Sequence, residues 1–140
     1  YEVGKRLGID KLHDHATNLG LGKETGIELG TEREGLIPNT AWKKKNKKLP
    51  WFLGETFNAA IGQGYVSTTP LQLAVTMGSI VNGGIIYKPT LTKNALPVVT
   101  GETHISPETV EVVKNGFRST KKEIHKKLGN NKKKNYPNFC

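Results

Sequence analysis

Four histidines, 12 acids and four serines are the raw material for chemistry in this chain of 140 residues. His13 and His15 lie two residues apart, which on a helix directs them about 200° from one another and away from any shared metal ion. His104 and His125 stand alone, whereas a metal site needs several His, Asp, Glu or Cys side chains converging. Surface histidines and no metal are expected. Glu32 and Glu34 fall in a loop with no neighbour that would raise a carboxyl pKa, so solvated charge is the better reading there than acid–base work. Gly62-Gln63-Gly64 lacks the Gly-Lys-Ser/Thr half of a phosphate loop. Its glycines suit a tight turn or the close approach of another segment. Ser67, Ser79, Ser106 and Ser119 are read as carrying neither a Gly-x-Ser-x-Gly elbow nor a Ser-x-x-Lys pair. Lys23-Glu24-Thr25-Gly26 is a near-miss to a Lys-Thr-Gly strand, but the extra Glu24 would turn Thr25 to the opposite face. Residue chemistry alone yields no active site.

The elements that would have to position such residues are clearer. Ile9, Leu12, Ala16 and Leu19 recur at helical spacing, and Gly20 with Gly22 supply a stop. Gly8 interrupts just before them, so residues 1–7 read as the end of an earlier helix. Thr25 to Leu29 alternates apolar and polar, as a short strand or extended segment does. Gly30 to Pro38 is loop; Asn39 caps a short helix running through Trp42 into the lysines; Pro50-Trp51-Phe52 is a loop fixed by aromatic burial. The strongest local signal is Thr69 as N-cap with Pro70 at the first helical position. Leu71, Ala74, Met77, Gly78 and Val81 then form one stripe, which predicts that Leu71, Ala74 and Val81 face the core. Asn82-Gly83-Gly84 ends that helix, Ile85 to Tyr87 is a short strand, and Lys88-Pro89 turns the chain. Ser106-Pro107-Glu108 opens a last helix with Val110, Val113 and Phe117 on one side. The fold class is α+β with helix in excess.

Composition sets the bounds. Apolar residues are 35% and aromatics 7%, against a usual apolar share of about 45–50%, so a large independent core is not expected. The chain opens at Tyr1 and its one methionine is Met77, which points to a piece of a longer protein. No run approaches the roughly 20 apolar residues that cross a bilayer, leaving any anchor to sequence upstream. Cys140 is the sole cysteine, which excludes an internal disulfide. The net charge of +9 is uneven: residues 1–118 hold 14 basic against 11 acidic side chains, and residues 119–140 hold 7 against 1. Lysine runs of this kind are usually solvated, and no aromatics interleave with them as single-strand binders require, so nucleic acid is not an expected partner.

Several blocks in order resemble one family. They are Leu7-Gly8-Ile9-Asp10-Lys11-Leu12, Gly20-Leu21-Gly22 with Thr25-Gly26-Ile27-Glu28-Leu29, and Glu34 to Pro38. Trp42-Lys43, Pro50-Trp51, Ile61-Gly62-Gln63-Gly64-Tyr65, Thr69 to Ala74 and Asn82-Gly83-Gly84 complete the set. Together these resemble the transpeptidase domain of class B penicillin-binding proteins, from Leu7 to Arg118. Trp42-Lys43 and the basic loop after it favour the elongation-type penicillin-binding protein 2 group over the division group.

The resemblance implies a β-lactamase/transpeptidase-like fold, with an antiparallel sheet flanked by helices. It implies the cross-linking of peptidoglycan stem peptides by a serine acyl-transfer enzyme, inhibited by β-lactams and needing no cofactor. It also implies a parent on the periplasmic side of the inner membrane, with cell-elongation proteins as partners. The family's Ser-x-x-Lys and Ser-x-Asn motifs precede the stretch matching Gly8, and its Lys-Ser/Thr-Gly strand follows the helix matching Ser106 to Phe117. Residues 1–118 are therefore expected to be a partial transpeptidase domain lying between the second and third motifs, with no catalytic residue of its own. Gly62, Gln63 and Gly64 match a loop near the family's active site, and are read first as scaffold and second as substrate-binding. Residues 119–140 form a Lys/Asn-rich tail, read as not family-like and as packing little, apart from a helix that can continue through Ile124 and Leu128. Missing partner strands would leave the helix face around Leu71 and Ala74 partly uncovered. The rival to all of this is a non-enzymatic basic module that binds anionic polymer or a membrane surface through its lysines.

Overall fold

The computed structural model describes residues 1–132, with side chains through Ile124. Its contacts divide the chain into two units, Tyr1–His104 and Ile105–Cys140. The first unit begins with helices α1 (Glu2–Leu7) and α2 (Ile9–Asn18), broken at Gly8 as its position predicts. Helix α1 packs on α4 (Leu53–Ala59), where Gly4 is buried and the Tyr1 ring meets Phe57 edge-on at 5.9 Å. Helix α3 (Thr40–Lys47) starts where Asn39 predicts: Trp42 N–H donates to Asn39 Oδ1 at 2.7 Å. The Asp10 carboxylate on α2 accepts both the Thr40 N–H (3.0 Å) and the Thr40 hydroxyl (2.9 Å), tying the start of α3 to α2.

Helix α5 (Pro70–Val81) carries the expected reciprocal cap. Gln72 N–H donates to Thr69 Oγ1 at 3.1 Å, and Thr69 N–H donates to Gln72 Oε1 at 3.0 Å. After it come β1 (Ile85–Tyr87) and β2 (Val99–Glu102), paired antiparallel with an irregularity between Ile86 and Tyr87. The second unit holds α6 (Pro107–Lys132), with Val110 buried, Val113 half-buried and Phe117 38% exposed. The helix continues through Ile124 and Leu128; the rest of the tail, residues 133–140, lies outside the described residues. The architecture is α+β with helix in excess, as expected.

Two expectations fail, for physical reasons. The apolar stripe of α5 does not face the core: Ala74 is exposed, Leu71 half-buried, and Leu73, Met77 and Val81 are each nearly half exposed. What faces inward is Gln72, Thr76 and Ser79, at 1%, 7% and 1% exposure. Helix α5 is laid against glycine-rich backbone, whose carbonyls need donors more than they need apolar cover. Gln72 Nε2 donates to Lys23 O (2.6 Å) and Glu34 O (2.8 Å), and Thr76 Oγ1 donates to Leu19 O (3.0 Å). The face around Leu71 and Ala74 is left uncovered, as absent partner strands would leave it. Of the two readings of Thr25 to Leu29, the strand fails: the segment is irregular backbone, with Gly26 at φ 77° and its start fastened by Glu32, whose carboxylate accepts the Thr25 hydroxyl at 2.7 Å and the Gly26 N–H at 2.6 Å.

Candidate functional site

The Gly62-Gln63-Gly64 turn is made by the end of α4. Ile61 N–H and Gln63 N–H both donate to Asn58 O, at 3.2 and 2.9 Å, and Gly62 N–H donates to Ala59 O at 3.0 Å. Gly62 and Gly64 have φ of 74° and 73°, a left-handed conformation that side chains beyond glycine disfavour. A Cβ on Gly62 would meet nothing within 4 Å, and one on Gly64 would touch only Asn58 Cβ at 3.5 Å. Of the two roles open to these glycines, the turn explains them and close approach does not. The side-chain amide of Gln63, an exposed residue, makes no hydrogen bond with any described side chain or backbone group. Just beyond, Tyr65 packs on Trp42 at 5.2 Å between ring centroids, which fixes the exit of the turn against α3.

The next anchor is the loop from Leu21 to Pro38. Leu36 and Ser67 exchange backbone hydrogen bonds of 2.6 and 2.9 Å, so the loop is stitched to the segment entering α5. Gly35, with φ of 69°, sits beneath that stitch: a Cβ there would lie 2.5 Å from Ser67 O. Gln72 completes the clamp. Its Oε1 accepts the Thr68 hydroxyl and the Thr69 N–H, both at 3.0 Å, while its Nε2 holds the two loop carbonyls. Lys23, Glu24, Thr25 and Gly26 line one wall of a cleft of about 520 Å³, opposite Thr100, Gly101 and Glu102 at the hairpin. The turn conformation of Gly26 (φ 77°) confirms that this near-miss is no Lys-Thr-Gly strand. The Thr25 hydroxyl, joined by the N–H groups of Gly26, Ile27 and Thr25, holds the Glu32 carboxyl below its ordinary value against the opposing effect of desolvation. Glu32 is a loop fastener and an ionised one.

Lys43 departs from its lysine run. Its side chain is only 2% exposed, and its Nζ reaches Glu55 Oε1 and Oε2 at 2.5 and 2.6 Å. The ammonium also lies 4.6 Å from the Phe52 ring centroid and 5.8 Å from that of Trp51. Burial alone would raise the Glu55 carboxyl, but the Lys43 hydrogen bond and charge and the Phe52 N–H outweigh it and hold the group below its ordinary range. Trp51 Nε1 donates to the buried Thr56 hydroxyl at 2.9 Å, the anchoring expected of that aromatic, whereas Phe52 stays 57% exposed. The pair ties α3 to the first turn of α4. Glu55 marks the start of α4, which the sequence reading left unmarked.

The serines need one correction. Ser119-Thr120-Lys121-Lys122 does have the bare Ser-x-x-Lys spacing. It lies twelve residues into α6, where backbone N–H groups are already spent within the helix, and Ser119 and Lys122 are both exposed. A nucleophilic serine needs a desolvated lysine and free donors for the oxyanion. This position supplies neither. His13 Nδ1 donates to Ile37 O at 2.7 Å, which engages it with backbone. The described residues hold no cluster of His, Cys, Asp and Glu able to take a metal ion.

A family model described as the penicillin binding protein transpeptidase domain matches residues 1–137, so the match crosses Arg118 into the Lys/Asn-rich stretch. Peptidoglycan D,D-transpeptidase MrdA of Salmonella typhimurium (strain SL1344) is 39% identical over 94 residues, which are 67% of this chain and 15% of that protein. The protein of the same name from Escherichia coli (strain K12) is 41% identical over 91 residues, 65% of this chain and 14% of its own length. Among solved structures, the complex between penicillin-binding protein PBP2 and MreC from Helicobacter pylori aligns with a TM-score of 0.70 at 29% identity. That alignment covers 81% of this chain and 21% of the other.

Proposed function

The chain belongs to the penicillin-binding protein transpeptidase family, and on that premise we propose that it is a segment of an elongation-type peptidoglycan D,D-transpeptidase. Its part is scaffold: the described residues carry no equipped nucleophile. The observation that carries this reading is the family match over residues 1–137, with relatives at about 40% identity of which the chain spans only 14–15%. In the whole enzyme a serine attacks the D-alanyl-D-alanine end of one stem peptide, releases D-alanine and passes the acyl group to an amine of another strand. Stem peptides and β-lactams are then ligands of the whole protein. Its place is the periplasmic side of the inner membrane, with an elongation partner of the MreC kind, by similarity to the H. pylori complex.

Within such an enzyme, the end of α4 and the packing of Tyr65 on Trp42 hold the Gly62-Gln63-Gly64 turn at one place, and the Lys43–Glu55 pair ties α3 to α4. The side-chain amide of Gln63 is available there to a neighbouring segment or to substrate. Domain limits of 1–118 for the enzyme-like part and 119–140 for the tail belong to the same proposal. The test is incubation of the 140-residue chain with a fluorescent penicillin, followed by intact-mass measurement. No adduct is expected. A stoichiometric mass gain on Ser119 or any other serine would overturn the assignment of scaffold.

A further inference from the structure

The chain has two Asn-Gly pairs, Asn82-Gly83 and Asn115-Gly116. Glycine leaves its nitrogen unshielded beside the asparagine amide, so this dipeptide is the readiest to cyclise on itself. Asn82-Gly83 joins α5 to β1, and there the side chain is held at both its polar atoms. Its Oδ1 accepts the Gly84 N–H (3.2 Å) and the Ile85 N–H (2.9 Å), while its Nδ2 donates to Ile85 O (2.8 Å). The backbone around it is pinned too: Gly84 N–H donates to Ser79 O at 2.7 Å, and Thr103 N–H donates to Gly84 O at 2.8 Å. A Cβ on Gly84 would overlap the Thr103 carbonyl, so the chain has no slack there. Cyclisation needs the Gly83 nitrogen nearly eclipsed with the Asn82 Cβ about the Cα–C bond. The ψ of 4° at Asn82 eclipses it with Asn82's own nitrogen instead, a tetrahedral step from Cβ. Asn115-Gly116 lies within α6, where Arg118 donates to the Asn115 Oδ1 at 3.2 Å.

From this geometry we propose that Asn82-Gly83 is a site of self-modification, latched while the α5–β1 junction is closed and released when it opens. In the open state the Gly83 nitrogen attacks Asn82 Cγ. The new C–N bond closes a succinimide, the Cγ–Nδ2 bond breaks, and Nδ2 leaves as ammonia with the Gly83 proton. Water then adds to either ring carbonyl and breaks its bond to the Gly83 nitrogen, giving aspartate or isoaspartate with no change of oxidation state. Neither product rebuilds the latch. Aspartate sets a carboxylate oxygen against Ile85 O where an N–H stood, and isoaspartate adds a carbon to a main chain pinned to Ser79 O and the Thr103 N–H. The reaction therefore fixes an opening of the junction irreversibly. All its parts lie within residues 79–103, so the site needs neither a free surface nor the transpeptidase reading.

The experiment is incubation of the full chain in mildly alkaline buffer, folded and in concentrated urea, followed by digestion and mass spectrometry of the peptides holding Asn82 and Asn115. Folded, Asn82 should deamidate at least roughly tenfold more slowly than in urea, because opening must break its three hydrogen bonds. Equal rates overturn the proposal. Gly84→Ala, which drives a Cβ into the Thr103 carbonyl, should raise the folded rate at Asn82 severalfold and leave that at Asn115 unchanged. A variant that folds by circular dichroism yet keeps the native rate at Asn82 overturns the latch. Should Gly84→Ala fail to fold, amide hydrogen exchange of Asn82→Asp, a mimic of one product, decides instead. Protection at Ile85 and Thr103 should fall severalfold, and native protection at both overturns the proposal.

Discussion

Gln72→Met separates the clamp's hydrogen bonds from its packing, because methionine fills nearly the same volume without donor or acceptor. In the native chain the amide is 1% exposed and satisfies four groups at close range, Lys23 O, Glu34 O, the Thr69 N–H and the Thr68 hydroxyl, with a longer bond of 3.4 Å to Arg33 O. The Thr68 hydroxyl has a second partner in Thr69 O at 3.3 Å, so three groups are left orphaned. An orphaned buried polar group costs about 1–3 kcal/mol, and the half-exposed loop admits some water, so a loss of about 3–4 kcal/mol follows. Local opening of the Leu21–Pro38 loop should carry most of it. The assay is amide hydrogen exchange at Leu36, whose N–H donates to Ser67 O at 2.6 Å under the clamp. Protection there should fall by roughly 150-fold, the equivalent of about 3 kcal/mol. Urea unfolding followed by Trp42 and Trp51 fluorescence gives the global figure. If Gln72→Met stays within about 1 kcal/mol of the native chain, the inward face of α5 is held by packing and the polar clamp is not what positions the loop.

Other perturbations discriminate among the remaining contacts. Glu55→Gln leaves the Lys43 ammonium buried without its counter-charge and should cost about 3 kcal/mol in urea unfolding, toward the lower end for a broken buried pair because Glu55 is 22% exposed. The Lys43 ammonium and the Phe52 N–H, against the opposing effect of burial, hold the Glu55 carboxyl below the ordinary value of a free glutamate. The stability it contributes is therefore present above that value and is lost as pH falls through the lowered folded-state value, an acid-side loss that Glu55→Gln should lack. Gly35→Ala forces a Cβ to 2.5 Å from the Ser67 carbonyl at positive φ and should cost more than about 2 kcal/mol, whereas Gly62→Ala, at similar φ in open space, should cost about 1 kcal/mol. Thr69→Ala removes a side-chain cap and should lower stability by about 1 kcal/mol, read as a shifted melting temperature.

What the sequence made legible was local and backbone-driven. Asn39, Thr69-Pro70 and Ser106-Pro107 announce helix starts because their side chains or rings act within three residues, and all three helices begin there. Helix α4 went unmarked because its N-terminal support is the Glu55 side chain reaching back to the Phe52 N–H, with no small polar residue at the cap itself. Apolar periodicity predicts the wrong buried face for α5, where Gln72, Thr76 and Ser79 point inward. Gln72, Thr76 and Ser79 are spaced as cleanly as the apolar stripe, but a polar stripe signals burial only when backbone carbonyls wait on the other side, and that depends on tertiary contacts. Lys43 hid inside a solvated run; its partner Glu55 lies 12 residues away, beyond any local pattern. For the candidate site, the Gly-Gln-Gly turn is visible from glycine spacing, while the Tyr65–Trp42 packing and the Lys43–Glu55 pair on the neighbouring helices are not. The family resemblance rested on the order of many short blocks, and it is the part that long-range physics did not have to supply.

A grafted enzyme tests the central claim most directly. Residues 7–118 of this chain replace the matching segment of a full-length relative that retains its own Ser-x-x-Lys, Ser-x-Asn and Lys-Ser/Thr-Gly motifs, and the product is incubated with a fluorescent penicillin. If these residues are transpeptidase scaffold, the folded graft should take up the label stoichiometrically on the relative's serine, while the 140-residue chain alone takes up none. A graft that folds but is not acylated, or an isolated chain that is, would contradict the account.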